Sequence, residues 1–481
     1  MLFNSLEYAI FLPVVFAIYW LIPHKFRWIL LLASSYYFYM SWNANYVVLI
    51  LFTTTISYVC SRLLEVETNE QRKKMYLAVT LCASWGVLFF FKYFNFFSNS
   101  ICAALNKIAI PLHPITINVL LPVGISFYTF QTLSYVIDVY RGNVKPEHHF
   151  GKYATFISFF PQLVAGPIER TSNLLPQIIK EHKFSYEKAT YGMKIMAWGF
   201  FKKVAVADTL AIHVDKIYGN VQNYKGFTLL LASMLFAIQI YCDFSGYSEI
   251  AIGTAKLFDI DLMRNFKSPY ISASIKEFWS KWHISLSTWF KDYLYIPLGG
   301  NRKGKVRHAL NLIITFLVSG LWHGANWTYV IWGAIHGIAQ VLENSIKKLF
   351  GKKKKKNVVQ YCASIIGVFL FCTVTWIFFR ANTLRDAIYV LKNIFVGMEN
   401  PIDYIKTGTE ALKLTQLENI KISLMLIVLG LFDIWDSKTD VIEKVGTYKL
   451  EIRWMLYVLI ILLIILFVPS QSGGEFIYFQ F

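Results

Sequence analysis

Apolar residues in this chain fall in long unbroken runs, not in the alternating pattern of a half-buried sheet. The runs at 76–97, 227–255, 358–379 and 453–469 reach or approach the roughly 20 helical residues that cross ~30 Å of hydrocarbon. Further candidates lie at 7–22, 45–62, 117–140, 191–210 and 421–436, with shorter runs at 28–40, 309–322 and 325–343. This pattern predicts an all-α polytopic membrane protein with about 11–12 transmembrane helices. The short runs are accommodated by tilt, partial re-entry or a thinned bilayer. Open sheets are excluded because an unpaired strand edge cannot face lipid. The first run follows Met1–Ser5, which holds no Lys or Arg, and no small-residue cleavage site succeeds it. It therefore reads as a first crossing, not a signal peptide.

Composition agrees. Of 481 residues, 56% are hydrophobic and 16% charged, with a mean hydropathy of +0.45, where a soluble domain carries about 25% charged residues. Aromatic residues reach 17%, as interfacial belts require. With the amino terminus outside, the loops facing the cytoplasm hold 33 Lys and Arg and those facing outward hold 9. The positive-inside rule then places both termini outside, in a multi-pass protein of the cell membrane. The net charge of +18 is thereby a topological signal. The run Lys352–Lys356 reads as a stop-transfer cluster facing anionic lipid, not a nucleic-acid patch. Cys60, Cys82, Cys102, Cys242, Cys362 and Cys372 lack metal-ligand spacing and read as free thiols.

No repeat or long linker divides the chain, so a single membrane domain over 1–481 is expected. Three stretches break the apolar pattern. Segment 256–308 carries ten Lys and Arg yet is rich in Trp, which suits amphipathic or re-entrant helices. Segment 380–420 suits short amphipathic helices outside the membrane. In Phe159–Pro167, two prolines and a glycine interrupt an apolar run. Such unwound backbone is tolerated where it is buried in protein or lines a cavity, and an interfacial kink fits equally.

Ionisable groups in apolar surroundings are functional candidates because their burial is costly. In Ser319-Gly320-Leu321-Trp322-His323-Gly324-Ala325-Asn326-Trp327, a histidine sits in a glycine-containing break between two short apolar helices. His336 follows in Ala334-Ile335-His336-Gly337. His283 lies in Trp282-His283-Ile284-Ser285-Leu286-Ser287, near Lys281 and Lys291 on the cytoplasmic side. An imidazole takes and returns a proton near neutral pH, as acyl transfer to a hydroxyl requires. A single histidine on an apolar face is more often a bonded core residue, and the residues alone leave both roles open. In Tyr241-Cys242-Asp243-Phe244-Ser245-Gly246-Tyr247-Ser248-Glu249, Asp243 and Glu249 fall inside an apolar span. A structural hydrogen-bonding role for Asp243 outweighs orienting a histidine or holding a cation. No metal, phosphate-loop or nucleophile-elbow motif is present.

These residues carry a resemblance. The blocks Leu121–Tyr140, Phe159–Arg170, Tyr241–Gly253, Pro269–Arg302 and Gly320–Gly337, with the terminal Phe476–Phe481, resemble the membrane-bound O-acyltransferases. The likeness is to the bacterial branch containing the alginate O-acetyltransferase membrane subunit. It covers nearly the whole chain, with motifs concentrated in 120–340. It implies helices around a central tunnel, His323 as the essential histidine and His283 as the second one near the cytoplasmic opening. Asp243, Ser245, Trp282, Lys291, Asn326 and His336 lie within the matching blocks and are the remaining candidates for donor binding or support. Lys291 stands where relatives often carry arginine, which keeps the charge and loses the bidentate fork.

The resemblance implies an O-acetyltransferase subunit that passes an acetyl group from a cytoplasmic thioester, acetyl-CoA, outward. The recipient is a polysaccharide or an exported partner acyltransferase, and no tightly bound cofactor is implied. D-alanyl transfer to teichoic acid from a carrier protein is the near rival. A polysaccharide or lipid transporter is the rival from another class, although no inverted repeat supports it. A purely structural scaffold leaves the histidines unexplained.

Overall fold

The computed structural model describes residues 1–164, 166–349, 357–469 and 476–477. The lysine run 352–356, Ala165 and positions 478–481 lie outside the described residues. Every described secondary-structure element is a helix. Each of the twelve apolar runs falls largely on a helix, as the length of the runs requires. Five of these helices are long and apolar enough to cross a membrane: Ala44–Val66, Glu70–Lys107, Phe227–Leu257, Val358–Arg380 and Leu450–Phe467. Leu6–Leu21 is a shorter apolar helix.

One expected run differs. The apolar stretch 117–140 becomes helical only at Ile125. Its N-cap, Gly124, adopts φ 74°, and a side chain there would meet the Leu163 carbonyl oxygen at 2.7 Å. Glycine supplies the left-handed conformation at no steric cost, and Pro122 lacks the N–H that a longer helix would use.

The chain forms two compact units, Met1–Met196 with Ile250–Met263, and Ala197–Glu249 with Arg264–Phe481. In the first, the proline-interrupted segment is only a short helix, Phe160–Leu163. Buried side chains serve its backbone and that of the helix Phe150–Ser158 before it. Ser35 Oγ accepts from Phe160 N at 3.0 Å, and Gln131 and Gln162 both donate to the Phe156 carbonyl, at 2.7 and 3.1 Å. Irregular backbone away from water is stable only with such partners.

The second unit holds the histidine-bearing segments. Residues 256–308 contain the short helices Ile275–Lys281 and Ile284–Phe290 and a single wide turn, Lys291–Tyr295. Helices Lys305–His323 and Trp327–Leu349 form a hairpin. Their backbones nearly touch. A Cβ on Gly320 would lie 2.3 Å from the Tyr329 carbonyl oxygen, and one on Gly333 would lie 2.2 Å from that of Phe316. Small residues permit this approach, which membrane helices use for packing. Gly320→Ala is therefore expected to destabilise the unit by about 1–3 kcal/mol, the usual cost of overpacking. Gly367→Ala, in a helix where nothing lies within 4 Å, is expected to be silent. Thermal unfolding of the two purified variants checks this, and equal unfolding temperatures would contradict it.

The expected helices in 380–420 are Leu384–Asn393 and Pro401–Ala411.

Candidate active site

His323 is the last residue of Lys305–His323, and the chain turns extended at Gly324. Its side chain is 2% exposed. Three aromatic rings stand nearly edge-to-face around it: Trp322 at 5.0 Å, Trp332 at 5.1 Å and Phe379 at 5.4 Å between centroids. Gly324 is needed here because a Cβ would enter the Tyr329 ring at 2.2 Å. The imidazole thus occupies a buried aromatic enclosure at the carbonyl end of one helix, beside the amide end of the next. The helix dipoles there favour positive and negative charge respectively.

His283 belongs to the loop between the two short helices and is fully buried. It is the N-cap of Ile284–Phe290 and takes a left-handed conformation, φ 42° and ψ 56°. That is an uncommon backbone for a residue with a side chain, and it is held from both sides. Ile284 N donates to the Asn265 carbonyl at 2.9 Å, and Ser287 N donates to the His283 carbonyl at 3.0 Å.

Asn265 also sets the ring's chemistry. Its Oδ1 accepts from Ser285 N at 3.2 Å and from Ser285 Oγ at 2.8 Å, and it lies 3.2 Å from His283 Nδ1. Its Nδ2 donates to Ser248 Oγ at 2.9 Å. An oxygen that takes a backbone N–H is an acceptor, so neutral His283 donates from Nδ1 and carries its lone pair on Nε2. Burial pushes the His283 pKa down to about 3, which keeps the ring neutral at physiological pH. Asn265→Leu is expected to strand these donors, at about 1–3 kcal/mol for each buried group left unpaired. Unfolding temperature and transfer rate should fall together in that variant, and a wild-type rate would contradict the tautomer assignment.

The two histidines share one neighbour. Trp322 lies 6.1 Å from the His283 ring and 5.0 Å from the His323 ring, centroid to centroid. Phe244 stands edge-on to His283 at 4.6 Å, and Phe266 stacks at 6.4 Å. Trp282 joins this group through Phe266, which it meets edge-on at 5.1 Å. It packs between Phe278 and Trp376, at 5.4 and 5.0 Å, in the wall behind.

The other candidates have distinct surroundings. His336 is bonded at both nitrogens. Trp279 Nε1 donates to its Nδ1 at 3.2 Å, so its Nε2 carries the proton and donates to Thr375 Oγ1 at 3.0 Å. That is the bonding of a core histidine. Asn326 caps the next helix, its Oδ1 accepting from Thr328 N at 3.0 Å. Lys291 is exposed. Ser245 is buried, and its hydroxyl has no partner among the described residues.

Asp243 takes part in an ion network. Its Oδ1 pairs with Lys203 Nζ at 2.5 Å, and its Oδ2 accepts from Ile477 N at 2.8 Å. Lys203 also pairs with Asp208 at 2.8 Å, and Lys202 with Glu249 at 2.8 Å. Ile477 in turn positions Phe476, whose ring lies 4.5 Å from Tyr247 and 5.8 Å from Phe244.

Sequence reasoning passed over Asn265, Trp332 and Phe379. Asn265 lies in a polar loop with no motif around it. The two aromatics are indistinguishable, in a chain this aromatic, from ordinary core residues. Lys202 and Lys203 carried one signal, adjacent cations in an apolar run.

Two enclosed histidines on a scaffold of membrane helices suit proton transfer away from bulk water. The chain belongs to the membrane-bound O-acyltransferase family, whose model matches residues 145–382, a range containing His283, His323 and His336. It is a multi-pass membrane acyltransferase. Among its relatives is the probable alginate O-acetylase AlgI of Pseudomonas putida, 36% identical over 100% of both chains. The peptidoglycan O-acetyltransferase of Helicobacter pylori is 35% identical over 83% of this chain and 80% of that protein. The teichoic acid D-alanyltransferase of Bacillus subtilis is 29% identical over 51% of this chain and 64% of that one.

Proposed function

We propose that this chain is an O-acetyltransferase subunit of the cell membrane, with both termini outside. It moves an acetyl group from cytoplasmic acetyl-CoA to an extracellular polysaccharide or to an exported partner acyltransferase. The observation that carries this reading is the enclosure of His323, with His283 packed near the same tryptophan. The full-length match to an alginate O-acetylase supports acetyl as the group and a polysaccharide as the destination.

His323 acts as the general base. It takes the proton of the attacking hydroxyl and returns it to the departing thiolate. The imidazolium formed in between lies at the carbonyl end of its own helix, which favours positive charge. His283 offers the lone pair of Nε2 nearer the cytoplasmic side. Exposed Lys291, Arg302, Lys303, Lys305 and Arg307 attract the phosphates of the donor. No acidic residue lies between Asp292 and Glu343 to oppose them.

The test is to supply acetyl-labelled acetyl-CoA to the cytoplasmic face of membrane vesicles that contain the protein and polysaccharide. Alkali-labile labelled acetate on the outer polysaccharide is the expected result. Failure to incorporate acetate, with D-alanine ester formed when a D-alanyl carrier protein is supplied, would overturn the donor assignment.

A further inference from the structure

Buried hydrogen-bond donors in folded proteins are almost always paired, and an exception calls for a reason. Two such exceptions lie on the helix that follows His323, and one of them belongs to a ring packed against that histidine. Trp332 is fully buried, yet its indole Nε1 has no partner among the described residues. The Thr328 hydroxyl, 1% exposed, has none either. They lie four residues apart in Trp327–Leu349, one turn apart on the same helix face. Trp332 is one of the rings that enclose His323, at 5.1 Å and almost perpendicular to it.

The neighbours make the exception sharper. Trp279 and Trp376 pack against Trp332, at 5.7 and 5.6 Å. Trp279 donates its indole N–H to His336, and Trp376 donates its own to Tyr270 Oη at 3.0 Å. His336, one turn beyond Trp332, is bonded on both sides. Trp279, Trp376 and His336 each find a partner, so a shortage of acceptors around the Trp332 ring does not explain its open donor. Both also sit in the first two turns of a helix, where the amide end favours negative charge. The glycine contact between Gly320 and Gly333 locks this helix against the one that carries His323. The donors are therefore fixed relative to the imidazole before any substrate arrives.

We propose that the Trp332 N–H, together with the Thr328 hydroxyl, binds the thioester carbonyl oxygen and stabilises the oxyanion formed on it. This rests on His323 being the base. The acceptor hydroxyl oxygen bonds to the thioester carbon, and the carbonyl π pair moves onto its oxygen, where the two donors meet it. The hydroxyl proton passes to His323 as this happens. The pair then returns, the carbon–sulfur bond breaks, and the thiolate takes the proton from His323. The products are an ester and a free thiol, with no further reactant. Donors that stay unpaired in the resting protein and are used when charge develops belong to the most effective kind of electrostatic catalysis.

The test replaces Trp332 by a benzothiophene amino acid, which has nearly the same shape and puts sulfur in place of the N–H. Thr328→Val and Thr328→Ser accompany it as the variants that remove and keep a hydroxyl. Initial rates of acetyl ester formation are compared at matched membrane abundance, with unfolding temperatures of the purified proteins. The expected result is a rate lower by about 10²-fold for the isostere, the effect of one oxyanion donor. Its unfolding temperature should be unchanged or raised, because an unpaired buried donor has gone. Thr328→Val should be slow and Thr328→Ser near wild type. A wild-type rate in the isostere, or a rate and an unfolding temperature that fall together, would overturn the proposal. His323→Ala is run alongside. Full activity in that variant removes the general-base reading itself, whereas an inactive His323→Ala beside an active isostere removes only the role of Trp332.

Discussion

His323→Ala should lower O-acetyl transfer by about 10²–10⁴-fold, the usual contribution of a positioned general base, while the protein still accumulates in the membrane. The side chain is almost fully enclosed by Trp322, Trp332 and Phe379, so no other base can move into its place without dismantling that wall. The measurement is ester-linked acetate on surface polysaccharide, in cells matched for the abundance of wild type and variant. His323→Gln keeps more of the side-chain volume and separates lost chemistry from lost packing. It should be as inactive as the alanine variant. Unchanged acetate would refute the catalytic role. A loss of D-alanine ester in place of acetate would keep the role and change the acyl group.

The second large effect is on stability. Lys203 is 2% exposed and pairs with Asp208 and Asp243, themselves 4% and 3% exposed. Lys203→Met leaves two buried carboxylates facing a methyl group. Removing one partner of a buried ion pair costs about 3–5 kcal/mol, because the remaining charge stays buried without compensation. The unfolding temperature should fall sharply and membrane abundance with it. Adding Asp208→Asn and Asp243→Asn to Lys203→Met should recover most of the loss, since the stranded charges are gone. A Lys203→Met protein as stable as wild type would show that water reaches these groups.

That network bears on how far a sequence can be read. Asp243 was visible as a carboxylate in an apolar span, and a bonded role was the favoured reading. Its partners were not visible. Lys203 lies forty residues earlier, and the backbone N–H of Ile477 lies at the far end of the chain. The candidates His323, His283 and His336 look alike as letters among apolar residues. In the structure, His336 has both nitrogens bonded to Trp279 and Thr375, whereas His283 and His323 each pack near the Trp322 ring. Asn326, a candidate for donor binding or support, caps the next helix, a local role that its position before Trp327-Thr328 permits.

What the sequence by itself determined is the set of helices and the class of protein. A run such as 358–379 is helical because hydrocarbon leaves its backbone groups no partners but each other, and the helix observed there is Val358–Arg380. The interruptions at 159–167 and 256–308 were equally readable, since proline, glycine and charge act locally. Tertiary structure decided the rest, because the remaining properties belong to pairs of distant residues. Which nitrogen of His283 holds its proton depends on Asn265, eighteen positions away. How closely two helices approach depends on Gly320 meeting Tyr329 and Gly333 meeting Phe316. And whether a buried indole is paired, as at Trp279, or left open beside an imidazole, as at Trp332, depends on what folding brings within hydrogen-bond reach.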